Sequence, residues 1–174
     1  LYSRELYSLL QPEDDLACQP HFEPPAVLSE DTQLAQDYPF LLVEQTILTQ
    51  SQAWQGIIPT LLEMYGLQPH TKWQSWVELN PTAAEALGVH ADDLVWVESP
   101  TGRLQAHVHL YPGLWPNAVF LPQGLGHRTH VRWGRRSPEE MQVGVNPNEL
   151  IDAGSEPLTG EPVLTPTRVR IYKA

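Results

Sequence analysis

Prolines occur at short intervals along this sequence and limit the length of any regular element. The 174 residues include 17 prolines and 11 glycines. Proline lacks a backbone donor and ends or kinks a helix, and both residues favour turns. We therefore expect short strands and short helices joined by turns, in one domain with or without a tail.

The charge balance bears on the class of partner. The chain carries 10 basic and 21 acidic residues, a net charge of −11. An acidic surface repels phosphate backbones, so we expect no nucleic acid partner. A single cysteine, Cys18, excludes an internal disulfide and a cysteine-rich metal site. No apolar run approaches the ~18 residues of a membrane span.

The sequence divides into two parts of different character. Residues 1–37 are rich in proline and acidic residues and show no sustained apolar period. We predict an irregular leader or interdomain linker there, with a disordered tail as the alternative. Residues 38–174 carry the clearer patterns and are predicted to form one β domain. The chain does not begin with methionine and shows no targeting segment, so we expect it to be a piece of a longer protein.

Hydrophobic patterns predict five or six short strands and two or three short helices. Alternation is clearest at Leu104, Ala106, Val108 and Leu110, which share one strand face. The strands are predicted at 40–43, 76–79, 94–98, 103–111, 118–121 and 163–172, the helices at 57–65, 81–87 and 146–151, and loops at 44–56 and 122–145. This pattern favours a mainly β, largely antiparallel domain, consistent with a small closed barrel with helical inserts.

The second predicted helix has the strongest local signal. Asn80 suits the N-cap, Pro81 suits the first helical position, and Gly88 suits a left-handed residue at the end.

The loop that contains Gly124 and Gly126 is the first candidate for ligand binding. Glycines two residues apart allow a backbone to approach a ligand closely. Four arginines follow within nine positions: Arg128, Arg132, Arg135 and Arg136. Such a cluster suits a bound phosphate, or else pairs with acids of the leader or of a partner protein. Composition alone leaves these alternatives open.

No catalytic or metal site is predicted from the residues themselves. His107 and His109 share a strand face, and His127 and His130 lie three apart, but no carboxylate stands at a recognised ligand spacing. Exposed strand histidines are the simpler interpretation. Ser51 and Cys18 have no recognisable base partner, and no nucleophile or nucleotide-binding motif is present.

Residues 38–173 resemble the C-terminal domain of molybdopterin oxidoreductases, the dimethyl sulfoxide reductase superfamily. The order and spacing of several stretches carry the resemblance more than any single motif. The stretches are WVELNP at 76–81, DLVWVES at 93–99, YPGLWP at 111–116, QGLGH at 123–127, GVNPNEL at 144–150, LTG at 158–160 and RVRI at 168–171. The pattern is most similar to the polysulfide, thiosulfate and tetrathionate reductase branch and to the related subunit of alternative complex III.

This resemblance implies a double-psi β-barrel like that of aspartate decarboxylase. In the family, the barrel covers one side of a molybdenum or tungsten bis(molybdopterin guanine dinucleotide) cofactor. Other domains supply the metal ligand and the iron–sulfur cluster, so the chain alone is not expected to catalyse a redox reaction. The resemblance also implies iron–sulfur and membrane-anchor subunits as partners, and a periplasmic or membrane-complex location, with the cytoplasm not excluded.

Carried over by position, the resemblance predicts cofactor contacts in the loop 44–56, in the loop 123–127 and at Asn146. The predicted cofactor-binding residues are Thr46, Thr49, Gln50, Gly56, Gln123, Gly124, Gly126, His127 and Asn146. Asn146 has a second interpretation, because it also suits the cap of the short helix that follows.

One departure from the family raises an alternative function. The branch usually has an Asp-Gly-Arg-Gly-like stretch in the first loop, whereas residues 49–56 here retain only Gly56 and include Trp54. The alternative is a cofactor-free structural barrel within a membrane-bound respiratory complex, docked through the arginine cluster. A free-standing barrel enzyme of the aspartate decarboxylase type is disfavoured, because its Gly-Ser self-processing site is absent.

Overall fold

The computed structural model describes residues 32–50, 55, 58–65, 74–126, 144–151, 154–155, 162–163 and 167–174. These residues form three short α-helices, eight strands and two 3₁₀ turns. The helices are α1 (Thr32–Asp37), α2 (Pro59–Tyr65) and α3 (Pro81–Leu87). The strands are β1 (Phe40–Thr46), β2 (Trp76–Leu79), β3 (Leu94–Glu98), β4 (Arg103–Leu110), β5 (Ala118–Gln123), β6 (Gly154–Ser155), β7 (Pro162–Val163) and β8 (Arg168–Lys173). The 3₁₀ turns cover Leu48–Gln50 and Pro147–Glu149.

Six of these strands close into a barrel. Its order is β1-β5-β2-β4-β3-β8, and β6 pairs separately with β7. Two barrel pairs are parallel, β1 with β5 and β2 with β4. The other four are antiparallel. The structure therefore confirms the predicted mainly β class with short helices and a double-psi-like closed barrel, in which antiparallel pairs predominate.

Alternating side chains fill the barrel with aliphatic residues. Val77 and Leu79 from β2, Val95 and Val97 from β3, and Val119 from β5 have no exposed surface. The same alternation buries Leu104, Ala106 and Val108 of β4, as the sequence predicts. A core of this type is stabilised by removing apolar surface from water, at roughly 25 cal/mol per Å².

A segment from Gly144 to Ile151 packs on one end of the barrel. Leu150 is fully buried and belongs to the barrel core. The Ser99 hydroxyl in the β3–β4 turn donates to the Leu150 carbonyl oxygen at 2.7 Å. At the same end, the Ser75 hydroxyl, just before β2, accepts from the Val145 backbone at 2.9 Å. These bonds attach the segment to the β3–β4 turn and to the residue that precedes β2.

The local signals in the sequence give the observed elements with few changes. Asn80 caps α3 through a 2.9 Å bond from the Thr82 backbone, and Gly88 is left-handed with φ of 67°. β2, α3 and β3 have the predicted bounds, and the β3–β4 hairpin is confirmed. Asn146 caps a 3₁₀ turn, in place of a regular helix, through a bond from the Asn148 backbone.

Several predicted bounds differ from the structure. The loop predicted at 122–145 is wrong at its start, because β5 continues to Gln123. The loop predicted at 44–56 is wrong at its start, because β1 continues to Thr46 through pairing with β5. The helix predicted from 57 begins at Pro59, where proline suits the first turn. The last predicted strand is interrupted, since β7 ends at Val163 and β8 begins at Arg168. The end of the predicted irregular leader, Thr32–Asp37, is helical.

No helix in the described ranges is both long enough and apolar enough to cross a membrane.

Candidate functional site

Polar side chains gather at the end of the barrel where β1 and β5 both terminate. The two strands are parallel and in register, with Thr46 opposite Gln123. Their carboxyl ends therefore lie side by side, and the 3₁₀ turn 48–50 and the turn 124–126 leave from neighbouring positions. We call this group of residues the polar rim; it consists of Glu44, Thr46, Thr49, Gln50, Gln123, Gly124, Gly126 and Asn146.

Glu44 and Gln123 form the part of the rim nearest to the core. Gln123 Nε2 donates to Glu44 Oε2 at 2.9 Å, between side chains that are 79 positions apart in sequence. Burial raises the pKa of the Glu44 carboxyl, and the hydrogen bond from Gln123 partly opposes this rise. The pair is therefore a partly buried acid held in place by a neutral amide.

The two rim glycines bring three chain segments into contact. Gly124 has φ of +93°, and a Cβ added there would lie 2.7 Å from the Gln50 carbonyl oxygen. Gly126 has φ of +82°, and its added Cβ would overlap the backbone of Val145 and Asn146. Glycine is thus required by the close approach of these segments to one another. That the same two glycines also let the backbone approach a ligand remains a prediction.

Several buried polar atoms of the rim have no hydrogen-bond partner. Of the five such atoms found among the described residues, four belong to the rim: Glu44 Oε1, Thr49 Oγ1, and both amide atoms of Gln50. Gln50 is fully buried. Buried polar atoms are normally paired, and exceptions mark sites of function or of an unseen partner. The rim therefore contains unused donors and acceptors beside an apolar core.

Seven of the nine residues predicted to bind a cofactor lie in this one place. The register of β1 and β5 brings Thr46 to Gln123, Gly124 packs on Gln50, and Gly126 packs on Asn146. Thr49 lies in the turn that ends at Gln50. The other two predicted residues, Gly56 and His127, lie outside the described residues, as do Trp54 and the arginine cluster at 128–136.

Two residues of this end have no individual role in the sequence-based prediction. The sequence-based prediction assigns Glu44 only to a loop. Glu44 nevertheless continues the alternation by which Phe40 and Leu42 face the barrel interior. Ser75 is buried and accepts from Val145, and an added Cβ at Gly144 would overlap its hydroxyl. The alternation could have revealed Glu44, whereas no local signal marks Ser75.

A second polar group lies on the outer face of the barrel. Glu78 Oε1 accepts from Trp76 Nε1 at 3.0 Å and lies 3.6 Å from His109 Nδ1. His107 Nδ1 lies 3.0 Å from the carbonyl oxygen of Asp92. Across the described ranges, no three His, Cys, Asp or Glu side chains are grouped as metal ligands would be. His107 is thus held by a local contact, whereas His109 Nδ1 is buried without a hydrogen-bond partner among the described residues.

A closed mixed barrel with a polar rim at the ends of two parallel strands defines a class of β-barrel suited to holding a ligand at one end. Residues 60–167 match the family model of the molydopterin dinucleotide binding domain. The chain belongs to this family, and the resemblance predicted from the sequence is confirmed.

Relatives with curated descriptions are parts of redox enzymes. The molybdopterin-binding-like subunit of menaquinone reductase from Nitratidesulfovibrio vulgaris is 27% identical over 124 residues, which cover 68% of this chain and 17% of the relative. One subunit of sulfite dehydrogenase from Allochromatium vinosum is 26% identical over 167 residues, covering 88% of this chain and 16% of the relative. One subunit of tetrathionate reductase from Salmonella typhimurium is 32% identical over 88 residues, covering 47% of this chain and 9% of the relative.

Among solved structures, acetylene hydratase from Pelobacter acetylenicus is similar in fold. The TM-score is 0.66 at 19% identity, with 100% of this chain and 23% of the other covered. The chain therefore spans less than a quarter of this protein and of each of the curated relatives above.

Proposed function

We propose that this chain is the C-terminal, cofactor-covering domain of a molybdopterin-dependent oxidoreductase. In this proposal the barrel lies over one side of a molybdenum or tungsten bis(molybdopterin guanine dinucleotide) cofactor shared with other domains. The polar rim contacts the cofactor, and the apolar barrel beneath it excludes water. When bound, the cofactor supplies the redox-active metal.

The observation that carries the proposal is the set of unpartnered polar atoms in the rim. Glu44, Thr49 and Gln50 present buried oxygen and nitrogen atoms that lack partners among the described residues. A pterin carries ring nitrogens, an amino group and a carbonyl oxygen, which match amides, hydroxyls and a carboxyl. These rim residues therefore fit the cofactor that the family description names.

Each rim residue has a role within this proposal. Gln50 and Gln123 offer both donors and acceptors, and Thr46 and Thr49 offer hydroxyls. Gly124 and Gly126 keep the turn 124–126 close to Gln50 and Asn146, so that the donors and acceptors hold one arrangement. Gly56 and His127 remain proposed contacts on the basis of the resemblance.

The domain requires other parts of its parent protein for activity. We propose that the remaining domains provide the metal ligand and that iron–sulfur and membrane-anchor subunits carry electrons. The names of the relatives, among them menaquinone, tetrathionate and thiosulfate reductases, support an assembly of this type. The names of the tetrathionate and thiosulfate reductases also support a small sulfur compound or similar molecule as substrate. A periplasmic or membrane-complex location is proposed on the basis of the resemblance.

The test is metal and pterin analysis of the native protein that carries this chain, purified intact from its host. We expect molybdenum or tungsten together with guanine dinucleotide, near one cofactor per chain. Protein that contains neither metal nor pterin would contradict the proposal. The barrel would then be a cofactor-free structural element of a larger complex.

A further inference from the structure

The barrel interior changes from apolar to polar near the carboxyl ends of two neighbouring strands, where Glu44 pairs with Leu121 and Thr46 with Gln123. Phe40 and Leu42 of β1 face the core, and Glu44 is the next residue on that face. On β5, Leu121 faces the core and Gln123 follows on the same face. Because successive side chains of a strand alternate between faces, Glu44 and Gln123 both lie directly above the aliphatic core.

The Glu44 carboxyl has one oxygen in use and one without a partner. Oε2 accepts from Gln123 Nε2 at 2.9 Å, which fixes the orientation of the group. Oε1 is buried and has no hydrogen-bond partner among the described residues. A buried carboxyl oxygen without a donor is costly, so this position is suited to an incoming N–H group.

The described rim residues favour a particular chemistry of ligand. Apart from Glu44, they are threonines, glutamines, glycines and an asparagine, and none of them is cationic. Phosphate oxygens are acceptors that bind best to arginine, lysine or clustered N–H donors. The ionised Glu44 carboxylate repels them. A flat heterocycle with N–H donors avoids this repulsion and satisfies the free oxygen.

We propose that Glu44, oriented by Gln123, accepts hydrogen bonds from a 2-amino-4-oxopyrimidine ring of the cofactor. This ring places a ring N–H beside an exocyclic amino group. Glu44 Oε1 can accept from one of these donors, and Oε2 can accept from the other through the lone pair that Gln123 does not use. Pterin and guanine share the ring, so either end of the dinucleotide provides it. The inference rests on the proposed function and adds to it the chemical group that Glu44 contacts.

The protonation state of Glu44 predicts how cofactor affinity changes with pH. Burial raises the pKa of the carboxyl from its ordinary value of 4.5. N–H donors stabilise the ionised form, so binding lowers this pKa. Affinity therefore rises with pH between the pKa of the complex and the higher pKa of the free protein. A contact to phosphate would reverse this dependence, because only the protonated acid donates.

Within the described part of the chain, few other charged groups lie on the elements that pack near β1. Strand β5 has no titratable side chain. Strand β8 packs on β1, and α2 packs on the turn that follows β1. The titratable residues of these two elements whose side chains are described are Arg168, Arg170, Tyr172, Lys173 and Glu63. Arg170 and Lys173 pair with Glu98 and Asp93. Glu44 is the titratable side chain on the rim itself.

The experiment measures the rate at which the loaded full-length protein releases its cofactor, followed by the fluorescence of the released pterin. Glu44→Gln keeps the size of the side chain but replaces one acceptor oxygen with a donor. We expect it to release cofactor about tenfold faster or more, since a hydrogen bond to a charged group is lost. Glu85→Gln, at an exposed position of α3, is the matched control and should behave as wild type.

The pH dependence of cofactor release is a second test of the same inference. Wild-type release should accelerate as the pH falls through the pKa of Glu44 in the complex. The Glu44→Gln variant should lose this dependence. Equal release rates in wild type and Glu44→Gln, or slower wild-type release at low pH, would overturn the inference. Wild-type protein that contains no pterin would instead overturn the proposed function.

Guanosine and 6-hydroxymethylpterin distinguish the two ends of the cofactor. Each is titrated by calorimetry into cofactor-free full-length protein and its Glu44→Gln variant. Binding that weakens in the variant for only one of the two compounds identifies the ring that Glu44 contacts. If neither compound binds in a Glu44-dependent way, the ring assignment is wrong.

Discussion

The side chain of Ser99 donates a 2.7 Å hydrogen bond to the carbonyl oxygen of Leu150, which lies 51 positions further along the chain. The same hydroxyl accepts from the backbones of Thr101 and Gly102 at 3.1 and 3.2 Å. One small buried side chain therefore holds the β3–β4 turn and the segment 144–151 together. Asn146, a residue of the polar rim, belongs to that segment.

Replacing Ser99 with alanine should destabilise the barrel. The change leaves the Leu150 carbonyl and two turn amides short of a partner, at a cost of about 1–3 kcal/mol. Chemical denaturation of wild type and Ser99→Ala measures the free energy of unfolding. Thr101→Ala, at an exposed position of the same turn, should change it by less than about 0.5 kcal/mol. Equal effects of the two variants would show that the hydroxyl is not the anchor.

The glycines at 124 and 88 form a matched pair of left-handed positions. An alanine Cβ at Gly88 would meet nothing within 4 Å, whereas at Gly124 it would lie 2.7 Å from the Gln50 carbonyl oxygen. Gly88→Ala therefore reports only the cost of the backbone conformation, about 1–2 kcal/mol. Gly124→Ala should lower the unfolding free energy by about 1–3 kcal/mol more, because packed backbone must also shift. Similar losses would contradict the observed contact between the turn and Gln50.

Gln50 should be more important for the cofactor than for folding. Its amide is fully buried and without a partner among the described residues, so replacement by leucine removes a desolvated polar group of similar size. We expect Gln50→Leu to leave cofactor-free protein equally stable or about 1 kcal/mol more stable. The pterin content of the loaded protein should fall. Thermal unfolding and pterin analysis check both effects.

The control for this prediction is Gln105→Leu, at an exposed position on β4. It should leave the pterin content unchanged. A loss of more than about 2 kcal/mol of stability in Gln50→Leu would indicate instead that the amide supports the fold.

Glu98 should stabilise the barrel in a way that depends on pH. Hydrogen bonds from Tyr172 at 2.6 Å and Arg170 at 2.7 Å hold the pKa of this carboxyl below its ordinary value of 4.5. A carboxyl whose pKa is lower in the folded state contributes stability above the unfolded-state pKa. That stability is lost as the pH falls through the folded-state pKa.

Urea unfolding of wild type and Glu98→Gln over a pH series measures this contribution. The two proteins should differ above pH 4.5 and converge at lower pH. The difference should be modest, since the network lies at the surface and salt screens it. Glu85→Gln serves as the control. A difference between wild type and Glu98→Gln that is independent of pH would exclude the ionised carboxylate as its source.

The elements that the sequence predicts well are those whose causes lie within a few residues. The Asn80 side chain bonds to the Thr82 backbone, and Gly88 ends the same helix seven positions after Pro81. The alternation that buries Leu104 to Val108 is likewise a property of one strand. Capping, turn conformation and side-chain periodicity depend on near neighbours, so they can be read without the rest of the chain.

The features that the sequence does not predict depend on distant pairing. Residues 44–46 look like the start of a loop because they are polar, yet β5 extends them as strand by pairing across more than seventy positions. The family resemblance identifies the rim residues other than Glu44 by position but gives no contacts between them. The Glu44–Gln123 bond and the packing of Gly124 on Gln50 are visible only in the folded barrel.

The sequence by itself therefore determined the class of fold, the bounds of several short elements, and the family to which the chain belongs. Those properties follow from local backbone preferences and from motifs in a given order. Only the tertiary structure decided that Glu44 is a partly buried acid above the core and that seven predicted residues share one rim. Burial and unpaired hydrogen-bonding atoms are created when distant strands close the barrel, so no stretch of sequence specifies them alone.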